Sequence, residues 1–267
     1  MMRISMNRSQ KIDFLVLILL AMVVVPVILL FDVRFLTSTF LFLGVPCLYL
    51  LYRKTQNLKV VFSGVFFIGV ILGFGFDFVQ TFNRAWIIPD EQLVIPYRIF
   101  GAAPVDELIC LILWSLLMLL VYEHFLEKKR VEHVDVKHFM ITAIIPASAS
   151  LLFIVGAFFF APHYITFKYS YIIFGVLACL PVIYCVIKRP KLLWHIVKVA
   201  PYFIFFFFIF EITSLYLNQW FFIGHYIGYV TFFSFRFPIE ELFFWIFASS
   251  TVVLTDYKLF VDTQNKS

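Results

Sequence analysis

Trp86 followed by Pro104-Val105-Asp106-Glu107-Leu108, and Trp220 followed by Pro238-Ile239-Glu240-Glu241-Leu242, are one pattern written twice. In both copies eighteen positions separate the tryptophan from the proline, and equivalent residues lie 134 apart. At the same offset Asp77 falls on Glu211 and Lys54 on Lys188. Carboxylates are expensive in apolar surroundings, so a duplicated acidic motif in a greasy chain calls for a functional reason.

The surroundings are apolar throughout. Hydrophobic residues make up 63% of the 267 and charged residues 14%, with a mean hydropathy of +0.98. Those values exclude a soluble domain and specify a polytopic membrane protein. Apolar stretches of bilayer-spanning length begin near Phe14, Phe35, Val60, Leu108, Phe139, Tyr169, Val199 and Phe237, which predicts about eight transmembrane helices. The expected fold is all-α, built as two parallel four-helix repeats. Residues 1–127 form the first, 128–138 a cytoplasmic linker, 139–263 the second and 264–267 a tail. An even number of spans per repeat makes the repeats parallel, related by an axis along the membrane normal. The first apolar run is too long for a cleavable signal and no small-x-small site follows it, so it reads as an uncleaved span.

Sixteen of the 21 Lys and Arg fall on the termini and the even-numbered connections. Both termini are therefore expected in the cytoplasm and both acidic motifs at the opposite face. The net charge of +5 is then explained by basic loops facing anionic lipid, with no nucleic acid partner. No His pair is spaced for a metal on one helix face, and the four Cys lie in apolar spans without a C-x-x-C. There is no P-loop, no dinucleotide fingerprint and no D-D-x-x-D clamp. The expectation is chemistry by carboxylates, without metal or cofactor.

Pro104 and Pro238 suit the first turn of a helix, and the acids after them sit at the positive end of its dipole. That alone makes an ordinary helix start; the repetition, with Asp77 and Glu211 expected at the same level, favours a site. Adjacent helical residues point about 100° apart, so in each pair one acid faces the cavity and the other a partner, in either order. Arg84, Arg98 and Arg236 are the candidate carboxylate partners. Aromatic residues make up 21% of the chain, 37 of them Phe. Most suit packing and lipid, but Trp86, Trp220, Phe243, Phe244 and Trp245 lie beside the motif, where ring faces stabilise a cation without acting as bases.

Trp86…Pro104-Val105-Asp106-Glu107 and Trp220…Pro238-Ile239-Glu240-Glu241-Leu242-Phe243-Phe244, with Tyr122-Glu123-His124-Phe125 and Asp256-Tyr257-Lys258-Leu259-Phe260 closing the helices, resemble the lycopene cyclase domain. The chain is similar to the fused, two-repeat form of that membrane family, found in some bacteria, in archaea and in the fungal bifunctional enzymes. The resemblance covers both halves and implies cyclisation of the linear ends of lycopene to β-ionone rings without net redox change. It implies Glu240, Glu241, Asp106 and Glu107 as catalytic acids, Glu240 and Glu241 foremost, with Asp77 and Glu211 in support. In the first copy Asp106 departs from the family's usual Glu. The implied setting is a bacterial or archaeal plasma membrane, with lipid, lycopene and other carotenoid-pathway enzymes as partners. Tyr122, Glu123, Asp256 and Tyr257 are expected to be structural or interfacial, at the cytoplasmic end. Two other readings remain open on the residues: a proton-coupled transporter of a small lipophilic substrate, which needs a polar path to both faces, and a non-catalytic scaffold subunit.

Overall fold

A computed structural model describes residues 7–53, 58–127 and 144–264, side chains at 260–264 excepted. Lys54, the 128–138 linker, the expected start of the fifth span at Phe139 and the last three residues of the 264–267 tail lie outside these. The chain is an all-α polytopic membrane protein. Among the described residues seven helices are long and apolar enough to cross a membrane, and an eighth, Ile145–Phe160, is shorter.

In the first half α1 is Arg8–Phe31, α2 Phe35–Tyr52, α3 Leu58–Phe82 and α4 Val105–Phe125. In the second half α5 is Ile145–Phe160, α6 Ser170–Lys188 and α7 Pro190–Tyr216. The last helix, α8, is the π-helical Glu241–Ala248 running on into Ser249–Gln264. Asn7 and Gln10 start α1 with a reciprocal capping box at 2.8 and 3.1 Å, satisfying two amides that the helix cannot. Asp32, in the left-handed conformation, ends α1 and turns the chain into α2.

Two boundaries differ from expectation. The basic stretch before Val199 is helical from Pro190, because proline starts the helix after Arg189 while Lys191 and Lys198 depress the apolar signal without breaking the helix. Phe237 belongs to a strand. Before α4, β1 (Arg98–Ile99) pairs with β2 (Ala103–Pro104); before α8, β3 (Tyr229–Phe232) pairs with β4 (Phe235–Pro238). Pro104 and Pro238 therefore close hairpins immediately ahead of the helices and do not occupy the first helical turn. Phe100 and Gly101, at φ 52° and 74°, are the left-handed residues of the first hairpin turn.

The halves embrace. α1 packs on α7, and its counterpart α5 packs on α3, so each first helix lies against the third helix of the other half. α4 and α8 meet at the centre. Two contacts join residues 134 apart: Ile87 and Phe221 exchange N–H···O bonds of 2.9 Å, and Tyr257 donates to Glu123 at 2.7 Å. Contacts between equivalent positions lie on a two-fold axis. One is at the hairpin end and the other at the far end of α4 and α8, so the axis runs along the helices.

Candidate active site

Helices α3 and α7 stop in the same way. Arg84 and Asn218 adopt φ of 56° and 52°; beyond them the Ala85 N–H reaches the Gln80 carbonyl and the Gln219 N–H the Ser214 carbonyl, each at 2.9 Å. These left-handed stops fold the chain back over its helix. Trp86 and Trp220 follow, and each points its indole N–H at an acid: Trp86 donates to Glu107, Trp220 to Glu211 at 3.0 Å. Tyr226 ties the two loops together, accepting from Gly224 at 3.1 Å and donating to the Ala85 carbonyl. Burial holds its phenol well above the ordinary tyrosine range.

The roles within each acidic pair are separated by the turn of the helix. The first acid binds backbone: Asp106 accepts the N–H groups of Val94 and Ile95 at 2.7 and 3.1 Å, and Glu240 that of Ile227 at 2.7 Å. Both are fully buried and hold the hairpin loop over the helix start. The second acid turns toward the axis. Glu107 lies against Asp77 and accepts from Thr81 at 3.4 Å. Glu241 lies against Glu211 and accepts the Tyr171 hydroxyl at 2.6 Å. Asp77 Oδ2 and Glu211 Oε2 receive no other donor among the described residues. Two carboxyls in contact require a proton between them, because two buried like charges repel. Each half thus presents a carboxyl pair able to release and to take up a proton.

A cavity of about 480 Å³ receives Asp77, Glu107 and Glu241 from both halves. Trp86, Trp220, Tyr171 and Phe244 surround the acids, and the Trp114 and Trp245 rings stack at 5.2 Å below them. From there the cavity continues past Ser249 and Val252 to Cys179, Pro181 and Asp256. Leu72 and Leu177 line it and are also 36% and 51% exposed on the bundle flank, so it reaches the apolar side of the protein. Along the cavity α6 breaks at Cys179, two residues before Pro181, and α3 and α8 carry π-helical stretches.

Several sequence expectations are placed differently. The cavity is lined by Glu107 and Glu241, while Asp106 and Glu240 face the loops. Glu211 stands behind Glu241 and Trp220. Phe243 points away, 52% exposed, against Phe247. None of the three arginines binds a motif acid. Arg98 pairs with Asp90 at 2.7 Å, Arg236 lies over the Tyr229 ring at 4.3 Å and Arg84 is exposed. Arg98 spends its guanidinium on Asp90 and the Ile88 carbonyl, and neutral N–H and O–H donors serve the buried acids. Tyr171, Trp114 and the cavity position of Asp256 are additions. The repeat could not reveal Tyr171, because the residue 134 before it is Thr37. Among the described residues no three His, Cys, Asp or Glu side chains gather as a metal site.

No model of a known protein family matches this chain, and neither does any curated protein or solved structure.

Proposed function

We propose that this chain is a membrane carotenoid cyclase, a lycopene β-cyclase converting the linear ends of lycopene to β-ionone rings and giving γ- and then β-carotene. The observation that supports this reading is the meeting of Glu107 and Glu241, each backed by a second carboxyl, in one apolar cavity walled by aromatic rings. The reaction adds a proton to the terminal double bond of the chain and leaves a tertiary cation. A nearby double bond of the same chain closes onto that cation to form the ring. Loss of a ring proton to a carboxylate restores neutrality, so one proton enters, one leaves and no electrons are exchanged. The carboxyl pairs suit donor and acceptor, and the Trp86, Trp220, Phe244 and Trp245 faces suit the cation between them.

In this reading the Lys and Arg bias favours cytoplasmic termini with the hairpins opposite, and the resemblance implies a bacterial or archaeal plasma membrane. Lycopene reaches the cavity from lipid past Leu72 and Leu177. The transporter alternative calls for a polar path, whereas the cavity between the acids and Asp256 is walled mainly by Leu, Ile, Val, Phe and Trp.

Pigment chromatography of lycopene-producing bacteria expressing the chain tests the proposal. Ring-bearing products should replace lycopene with the wild type and disappear with Glu241→Gln or Glu107→Gln. Unchanged lycopene beside well-expressed wild-type protein overturns it.

A further inference from the structure

We propose that Tyr171 is a positioning residue that sets ring type: its hydroxyl holds the Glu241 carboxylate where one ring proton, and not its two neighbours, is within reach. This rests on the cyclase reading. Once the ring has closed, the positive charge sits on a ring carbon with three hydrogen-bearing neighbours, the ring junction, a ring CH2 and a methyl group. In the last step a carboxylate oxygen takes a proton from one of them, and the electron pair of the broken C–H bond becomes the new double bond. The carboxylate ends as a neutral carboxyl. Loss from the junction gives the conjugated β-ring, loss from the CH2 a ring with its double bond displaced, and loss from the methyl an exocyclic methylene. Each of the three carbons lies one bond, about 1.5 Å, from the charged carbon, so a base displaced by roughly 1 Å meets a different proton. Ring type is thus set by whatever holds the base.

Glu241 carries such a tether. It opens the π-helical stretch of α8 and lines the cavity, and its long side chain has several torsions to be fixed. Its carboxyl accepts the Tyr171 hydroxyl at 2.6 Å, a length typical of an O–H donor on an ionised oxygen, and Glu211 meets it from behind. Tyr171 is itself held. It is buried near the start of α6, with Trp86 edge-on at 5.3 Å and Phe244 at 6.2 Å. One turn further on, Gly175 makes room for Phe244, since a Cβ at that position would run into the Phe244 ring. The two halves differ in how their donors are dealt out. In the first, the Trp86 indole serves the motif acid Glu107; in the second, the Trp220 indole serves Glu211, and Tyr171 takes its place at Glu241. The first half has no counterpart of that hydroxyl: Thr81 stands 3.4 Å from Glu107, and the residue 134 before Tyr171 is the exposed Thr37. The hydroxyl tether therefore marks Glu241 as the proton acceptor and leaves the Asp77–Glu107 pair to supply the proton that starts the reaction.

The test is chromatography of the rings formed from lycopene by the full chain in nanodiscs. The variants are Tyr171→Phe, which removes only the hydroxyl, and Glu241→Asp, which draws the carboxylate back from Tyr171 by one methylene. Wild type should give β-rings, with the two displaced isomers as traces. In Tyr171→Phe the ratio of β-rings to displaced isomers should fall at least about tenfold, the equivalent of about 1.4 kcal/mol of discrimination, and Glu241→Asp should yield the same displaced isomers. A residue needed only for packing would lower total conversion and leave that ratio alone. An unchanged ratio in Tyr171→Phe overturns the assignment; should that variant not reach the membrane, an unchanged ratio in Glu241→Asp does so. Mixed rings from the wild type overturn it as well, and so does loss of every ring in both variants, which makes the hydroxyl part of the proton transfer itself. No ring from the wild type removes the cyclase reading, and this assignment falls with it.

Discussion

Helices α3 and α7 hold equivalent places in the two halves, and they differ most where the cavity lies. Where α3 carries Gly69, Leu72, Gly73 and Gly75, α7 carries Phe203, Phe206, Phe207 and Ile209. On α7 the rings pack on one another and on α2: Phe203 stacks on Phe207 at 5.5 Å, Phe42 of α2 meets Phe206 at 5.9 Å and Phe210 at 4.9 Å, and Phe203, Phe206, Phe207 and Phe210 are all buried. On α3, Leu72, Gly73 and Gly75 form part of the cavity wall, while Gly69 lies close against Leu111 and Ser115 of α4. The first helices repeat the contrast. Asp13 of α1 is held by Tyr49 at 2.6 Å, Arg53 at 3.0 Å and His124 at 2.8 Å, whereas its counterpart on α5 is Ala147, a cavity-lining residue. Duplication kept the acids in both halves and kept the space on one side only, so that both sets of acids face one chamber.

The sharpest way to break this comparison is at the acids that share the chamber. Glu107→Gln and Glu241→Gln should each lower lycopene conversion by about 10²–10⁴-fold, the usual contribution of a positioned acid or base; pigment ratios per unit of membrane protein measure it. If one of the two is silent, the halves are unequal in chemistry as well as in space. Next in size is Asp13→Ala, which copies Ala147 into the first half. It strips a buried partner from Arg53 and His124 and should cost about 3 kcal/mol, seen as a lower unfolding temperature in detergent while Ala147→Ser changes little. Writing α7 into α3 is a smaller perturbation: Leu72→Phe with Gly75→Ile should reduce polyene binding by about tenfold through lost volume, roughly 1.4 kcal/mol. A Cβ at Gly75 meets only the Leu151 and Ile154 side chains at 3.6 Å, so folding should survive and binding is readable as quenching of the cavity tryptophans by lycopene. The mildest change is Asp106→Asn, which keeps one acceptor for two amides and should cost about 1 kcal/mol of stability, with ring formation largely retained.

Much of this architecture was legible because membranes impose coarse rules. Length and apolarity marked the spans, and the 134-residue offset related the halves before any packing was known. Legibility failed where direction mattered. Asp106 and Glu107, or Glu240 and Glu241, are indistinguishable by composition, and only the hairpin amides of Val94, Ile95 and Ile227 decide which acid is turned aside. Arginines looked like natural partners for acids, yet indole and phenol donors from Trp86, Trp220 and Tyr171 can enter an apolar interior at a far lower desolvation cost. The short hairpins escaped notice because Phe and Tyr serve strands and membrane helices alike. The Phe-rich face of α7 is core: Phe203, Phe206, Phe207 and Phe210 are buried in the main cluster.

The crossed packing of α1 on α7 and of α5 on α3 has a consequence for biosynthesis. Pro190, which opens α7, emerges 182 residues after Arg8, roughly 10–40 s later at about 5–20 residues per second. For that interval α1 packs on α2 and α4 of its own half but lacks α7, so the first half cannot complete its own packing. Assembly is therefore a late, concerted docking of two nascent bundles, and a ribosome stalled before α7 leaves an insertion intermediate suited to chaperone capture or proteolysis.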